Sequence, residues 1–365
     1  MQITAAVLRD RTGRYEIEDV TLASPGPGEI LVRIVGVGHC HTDLLARTIH
    51  SRSALPLVVG HEGSGVVETV GANTAGIAAG DHVVLSYDSC RRCVNCLSGH
   101  PAYCDSFVRR NFGDARAHLP AVMHDKHGLP VFARWFGQSS FATHALVAAR
   151  NVTKVDKDLP LELLGPLGCG IQTGAGAVIL SLGVGAGESV VIVGVGAVGL
   201  SAVMAATLSG ADPIIAIDLS VGRLHLAREL GATHTIMGTD GDATAQVRAL
   251  TDGGVQYALD TTGAPAAIAA AIGFLRPTGV CGLVGLSTDA LVLPPGALAV
   301  GRTVTGIVEG DVVPQTFIPR LLRLWRQGKF PFDRLITTFG LDQINEAEKA
   351  VISGDIIKPV LLPGL

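Results

Sequence analysis

Val190-Val191-Ile192-Val193-Gly194-Val195-Gly196-Ala197-Val198-Gly199 decides the fold. Four β-branched residues run without a polar break, as in a strand buried on both faces, and give way to G-x-G-x-x-G and a helix-like run. The glycines permit a tight turn, and the helix N-terminus that follows presents backbone N–H groups to an anion such as a pyrophosphate. In a chain with 46 glycines the triplet means little by itself, so the strand before it and the helix after it carry the reading. Just upstream, Gly165-Pro166-Leu167-Gly168-Cys169-Gly170 holds a thiol, a soft metal ligand, in a turn-rich segment.

Downstream, the pattern predicts strands at 190–193, 213–218, 234–237, 255–260 and 280–285, and a sixth at 302–308. Helices are expected between them at 198–209, 221–230, 243–250 and 265–275. Such alternation implies right-handed crossovers and an open parallel sheet. Upstream, apolar runs at 3–9, 15–22 and 30–37 read as strands, broken most clearly by Ser24-Pro25-Gly26-Pro27-Gly28. Gly36, Gly38, Gly60, Gly63, Gly65 and Gly71 then mark a β domain in which backbone approaches backbone closely. The tail, an amphipathic helix (314–327), a strand, a helix (342–352) and a last strand (356–361), is expected to return to that first domain.

A chain of 365 residues suits two domains, and apolar, glycine-rich, aromatic-poor composition suits α/β architecture. The formal charge of −4 without a basic run argues against nucleic acid or an anionic membrane as partner. Uncharged stretches at 163–187 and 189–211 are studded with glycine and lack the flanking charge asymmetry of membrane spans. No basic leader precedes the first apolar run, so the cytoplasm is the expected location.

Seven cysteines, an odd number, speak against a disulfide framework. Cys90-x-x-Cys93-x-x-Cys96 with Cys104 eight residues on supplies four thiols from a short loop, enough to enclose one ion tetrahedrally with no position left for substrate. The metal would be structural; zinc fits, and so does an iron–sulfur cluster. Arg91 and Arg92 lie in the loop, but the chain lacks the basic surface and stacking aromatics of a nucleic-acid knuckle.

Cys40, His61 and Cys169, with Glu62 beside the histidine, form a second, dispersed set. Two thiolates and one imidazole leave a fourth position open, as in a catalytic zinc site, where the ion would polarise an alcohol and lower its pKa. Asp218 ends the predicted second strand of the parallel sheet, nineteen residues after Gly199. A carboxylate there accepts from ribose hydroxyls and repels a 2′-phosphate, favouring NAD over NADP; Arg223, five residues on, is close enough to reach the ribose.

Taken together, Cys40-His41-Thr42-Asp43, Gly60-His61-Glu62, the four-cysteine loop, Gly165–Thr173 and the glycine fingerprint resemble the zinc-containing medium-chain alcohol dehydrogenases over nearly the whole chain. More narrowly, the stretches 136–142, 165–174 and 328–333 look like the bacterial aryl-alcohol (benzyl alcohol) dehydrogenases, with the geraniol-type allylic alcohol dehydrogenases close. The resemblance implies a GroES-like catalytic domain at 1–170 and 309–365 and a doubly wound Rossmann domain at 171–308. It implies catalytic zinc on Cys40, His61 and Cys169, Glu62 as a transient ligand, structural zinc on Cys90, Cys93, Cys96 and Cys104, and Asp43 bonded to His61. Thr42 would take the alcohol proton and pass it toward the nicotinamide ribose. His41 and Lys358 would hold the pyrophosphate. Thr173 and Val198 would flank the nicotinamide, with backbone near Val284 and Ile307 holding its amide. Gly194, Gly196 and Gly199 would form the phosphate turn. Trp135 and Phe136 would line the alcohol pocket, with Ser86 and Tyr87 near the zinc. One departure is Leu45, where some members end the proton relay in histidine; either the ribose exchanges protons with solvent or a base such as His41 substitutes.

The implied activity is reversible, NAD-linked oxidation of a hydrophobic aromatic or allylic primary alcohol to its aldehyde, with two zinc ions per subunit. The competing readings are a polyol dehydrogenase, a zinc-free quinone or enoyl reductase, and a non-catalytic nucleotide-binding protein that keeps the fold. Family habit implies a homodimer or homotetramer.

Overall fold

The computed structural model describes residues 1–48, 55–112, 121–286 and 289–364. It comprises two compact units, one of Met1–Cys169, Val313–Leu322 and Asp333–Leu365, the other of Gly170–Val312 and Arg323–Phe332.

In the first unit, strand Glu29–Gly38 is the organising element of a seven-stranded sheet. One of its edges pairs with Glu62–Val70. The other is divided, its first half pairing with His144–Ala148 and its last residues with Lys358–Leu362. That second pairing places strand Lys358–Leu362 beside the end of the strand that precedes Cys40, with the strand that follows His61 on that strand's other edge. A smaller sheet of Gln2–Leu8, Tyr15–Leu22, Met123–His124 and Pro130–Val131 supplies further core, including Leu8, Leu22 and Met123.

The second unit holds six parallel strands in the order His234–Met237, Ile214–Asp218, Val190–Val193, Val255–Asp260, Leu275–Leu283 and Thr303–Gly306. In chain order this is 3-2-1-4-5-6, the doubly wound arrangement, and the Val190–Val193 strand is wholly buried between its neighbours. The architecture is the α/β fold read from the sequence. The largest boundary difference is in the fifth strand, which begins at Leu275, a residue the pattern put in the preceding helix. Val255 pairs with Leu275 and Tyr257 with Val280, so the intervening residues bulge out, and this irregularity hides the strand's start from a period-two reading.

Gly170, 309–312 and 323–332, expected with the β unit, cluster with the parallel sheet. Gln172 donates to buried Glu309 at 3.0 Å, Ser181 donates to the Gly310 carbonyl at 3.3 Å, and Trp325 packs on Phe332 at 5.6 Å. Among the described residues, no single helix is long and apolar enough to cross a membrane.

Candidate active site

Three segments of the first unit converge. Cys40 precedes helix His41–Thr48, and Gly38, two residues before it, lies opposite Glu62 in the antiparallel register. The turn Gly165–Gly168 delivers Cys169. A Cβ on Gly165 would run into the Glu62 carbonyl oxygen, and one on Gly168 into that of Leu85, so glycine seats this turn directly on the strand backbones. As a result, one donor atom from each of Cys40, His61, Glu62 and Cys169 lies within 4.8 Å of the others. His61 Nε2 and Cys169 Sγ are 3.3 Å apart.

Asp43, fully buried, organises the imidazole. Its Oδ1 accepts from His61 Nδ1 at 2.8 Å, Trp135 Nε1 at 3.0 Å and the Gly60 N–H at 3.1 Å, while Oδ2 accepts the Cys40 N–H at 3.1 Å. This bond holds a proton on Nδ1 and turns Nε2 toward Cys169. The Phe136 ring stacks on the imidazole at 4.4 Å and 27°. Gln138 completes the cradle: its Nε2 donates to the His61 carbonyl at 2.8 Å and its Oε1 accepts from Gly63 N–H and Ser140 Oγ.

Electrostatics in this pocket are steep. A hydrogen bond with Cys169 pulls the Cys40 thiol well below its ordinary range; burial opposes the shift, and Lys358 and His61 assist it. Burial pushes His61 down, but Asp43 and the Cys40 thiolate reverse this and hold it well above 6.5. Burial raises Glu62 against the pull of Lys358. Lys358, buried, is pushed down by burial yet lies above its usual value because Glu62 and the two thiolates outweigh it. Its Nζ sits 3.0 Å from both Glu62 oxygens and 3.4 Å from the His39 carbonyl. The resemblance assigned Lys358 to the pyrophosphate; within the first unit its ammonium pairs with the Glu62 carboxylate of the ligand cluster.

A soft divalent ion fits this donor set: two thiols, one of them pulled below its ordinary range by its surroundings, and an imidazole anchored from behind through Nδ1. The cysteines of the loop are likewise gathered, with Cys90, Cys93, Cys96 and Cys104 sulfurs within 4.8 Å. Backbone N–H groups of Arg92 (3.5 Å) and Cys93 (3.3 Å) donate to Cys90 Sγ, bringing that thiol to about 6, while burial and the adjoining thiols push Cys96 to about 12. Four sulfurs so close cannot all ionise without a cation among them.

The other residues of the first unit take these places. Ser86 Oγ donates to the Gly168 carbonyl at 2.6 Å and so steadies the Cys169 turn. Tyr87 is buried against Phe107. Trp135 is fully buried with its indole on Asp43, a contact that the residue pattern did not foretell. His41 and Thr42 open the helix that carries Asp43, and Leu45 packs on the core from the same helix.

In the second unit Gly194 adopts φ +82°, and a Cβ on Gly199 would strike the Gly194 carbonyl, so the turn closes tightly on the helix Ala197–Ser209, which Gly196 caps. Asp218 Oδ2 accepts the Val195 N–H at 2.7 Å and Oδ1 the Ser220 N–H at 2.9 Å. It thereby braces the fingerprint turn, and each oxygen keeps acceptor capacity. Ser220, not Asp218, caps the next helix, accepting from the Arg223 N–H at 3.4 Å. Thr173 is buried in Gly170–Gly176, where Gly174 abuts the Val198 carbonyl. Val284 N–H bonds the Asp260 carbonyl at 2.9 Å and Ile307 N–H that of Leu283 at 2.8 Å, fixing both backbones at the carboxyl ends of their strands.

A doubly wound nucleotide-type sheet and a thiolate–imidazole cluster in one chain define a metal-dependent oxidoreductase. Residues 26–157 match the alcohol dehydrogenase GroES-like domain and 197–326 the zinc-binding dehydrogenase domain. The chain is 49% identical over 362 residues to a geraniol dehydrogenase of Castellaniella defragrans, covering 98% of this chain and 97% of that one. A crystal structure of benzyl alcohol dehydrogenase from Acinetobacter calcoaceticus is 43% identical with TM-score 0.95, covering 99% of each chain. An alcohol dehydrogenase zinc-binding domain protein from Burkholderia ambifaria is 50% identical with TM-score 0.97, covering 100% of this chain and 99% of that one. This chain belongs to the zinc-containing medium-chain alcohol dehydrogenases.

Proposed function

We propose that the protein catalyses reversible, NAD-linked oxidation of hydrophobic primary alcohols whose carbinol carbon is benzylic or allylic. The observation that carries this is the convergence of Cys40, His61 and Cys169 donor atoms, drawn from distant segments, around one point. These three side chains would hold zinc, with Glu62 as a further donor, and Cys90, Cys93, Cys96 and Cys104 would hold a second, structural ion. A zinc ion at the first site supplies Lewis-acid polarisation of the substrate oxygen.

The chain's own groups do the rest. Asp43 keeps the proton on His61 Nδ1 and so keeps Nε2 a donor of electrons. Thr42 Oγ1 would accept the proton that the alcohol loses while releasing its own hydroxyl proton toward the ribose side of the nucleotide site and solvent. Backbone N–H groups at the start of helix Ala197–Ser209 bind the pyrophosphate, and Asp218, its carboxylate fixed by two backbone donors, takes the adenine-side ribose hydroxyls. Conjugation of the developing carbonyl with an aryl or vinyl group lowers the barrier to hydride loss, and Phe136 beside the imidazole favours a flat substrate. The names of both relatives support this substrate class.

The test is kcat/KM across benzyl alcohol, geraniol, perillyl alcohol and their saturated counterparts, with NAD and NADP. A preference for the unsaturated alcohols with NAD is expected. Equal rates on saturated alcohols would refute the substrate class, and NADH binding without turnover on any alcohol would identify a non-catalytic nucleotide-binding protein.

A further inference from the structure

We infer that the four-cysteine loop and the His61 imidazole are joined by a run of packed rings, and that Phe112 is a positioning residue for the reaction, acting through Phe136. The inference rests on the reading above in taking His61 as a metal ligand.

The run starts at Cys104. The Phe107 N–H donates to the Cys104 carbonyl at 2.7 Å and opens the short helix Phe107–Asn111. Asn111 then ties this arm to the chain entering the loop: its Oδ1 accepts the Asp88 N–H at 2.8 Å, and its Nδ2 donates to the Asp88 and Phe107 carbonyls at 2.9 Å each. The Asp88 carboxylate, fully buried, binds Arg110 at 3.1 Å and Arg150 at 2.9 Å. Residues 88–90 and 104–112 therefore move as one piece with the cysteine loop.

Two rings leave that piece. Phe107 meets Phe136 edge-on at 6.4 Å; Phe112 meets Trp135 at 5.3 Å and Phe136 at 5.1 Å, both near perpendicular. Phe136 lies on the face of His61, and Trp135 Nε1 donates to the same Asp43 oxygen that holds His61 Nδ1. The face of the imidazole and the anchor behind it thus both end on rings that Phe112 braces. Bracing is needed because Phe136 sits at φ +50°, a left-handed conformation that an aromatic residue keeps only when its surroundings hold it there. A tilt of Phe136 tilts the imidazole plane and displaces Nε2, and small displacements of a reacting group cost large factors in rate.

The chain has two tryptophans, so Trp325→Phe leaves Trp135 as the only one and makes its emission a reporter of this ring cluster. In that background, Phe112→Leu is expected to shift Trp135 emission and lower kcat by roughly 10- to 100-fold with KM changed less, and Phe112→Tyr to restore both. Cys93→Ser, with one zinc per chain still bound, is expected to reproduce the emission shift. Parental emission and kcat in folded Phe112→Leu, or parental emission in folded Cys93→Ser, would overturn the inference. If Cys93→Ser does not fold, the Phe112 pair decides. If instead the parent protein binds no metal at Cys40, His61 and Cys169, the reading of the site fails first, and emission still reports whether the loop and the rings are coupled.

Discussion

Lys358→Met tests how the ligand cluster is held together. Lys358 and Glu62 are both buried, and Nζ lies 3.0 Å from each carboxylate oxygen, a symmetric contact that no water-exposed pair would keep. Methionine fills similar volume without charge, so the variant isolates the loss of a counter-charge beside Glu62. Removing one partner of a buried pair costs about 3–5 kcal/mol, because the other is left desolvated and uncompensated. For a unit of about 210 residues this corresponds to a fall in Tm of roughly 6–20 °C. The two units need not melt together, so the readout is the transition that exposes Trp135 in a Trp325→Phe background, measured with the Cys40, His61 and Cys169 site free of metal so that no bound cation stands in for the ammonium. Glu62→Gln in the same chain should return most of the loss, giving a coupling of about 2 kcal/mol or more in the double-mutant cycle. A loss below about 1 kcal/mol, the range of an exposed pair, would refute the claim that Lys358 is what allows Glu62 to be buried.

Cys169→Ala should abolish turnover while the folded protein still binds NADH, as followed by nucleotide fluorescence; full activity would rule out the metal chemistry. Asp218→Gly should narrow the NAD preference and also lower NAD affinity, because it frees the Val195 N–H as well as the ribose acceptor; kcat/KM for NAD and NADP checks both. Asp125→Asn should reveal an acid-sensitive anchor. Burial pushes the Asp125 carboxyl up, but N–H donors from Leu129 and His127, with Arg9, hold it below its ordinary 3.8. A depressed carboxyl stabilises the fold above the unfolded pKa and loses that contribution as pH falls through the folded one. The gap in urea midpoint between parent and variant should therefore be full at pH 7 and close below about pH 4; a pH-independent gap would contradict this.

Residue chemistry made part of this molecule legible in advance. Val190–Val193 reads as a doubly buried strand, and with the helix after the glycines and the strand–helix alternation downstream it made the parallel sheet legible; its strand order came from the structure. Cysteine and histidine declare their function by type, which is why Cys40, His61 and Cys169 could be grouped without knowing what folds them together. The supporting contacts had no such signal. Trp135 lies 92 residues from Asp43, and Lys358 lies 296 from Glu62. Nothing in the spacing of an indole or an ammonium says which carboxylate it will meet. Gln138 bridges the His61 carbonyl and the Gly63 amide, but an amide side chain carries no mark of such a role in the sequence. Nor do the rings of Phe107 and Phe112.

How the groups around the ligands are placed bears on how such a site keeps its geometry. Asp43, itself held by Trp135, lies behind His61 Nδ1, Phe136 on the ring face and Ser86 under the Cys169 turn, all away from the donor atoms, whereas Lys358 pairs with the Glu62 oxygens themselves. Such contacts engage groups of the chain itself, and the donors they support lie within 4.8 Å of one another. Preorganisation of this kind shifts the cost of gathering like-charged thiolates from metal binding to folding. It also makes the ring cluster and the buried ammonium, rather than the ligands themselves, the places where substitution would leave metal bound and chemistry slow.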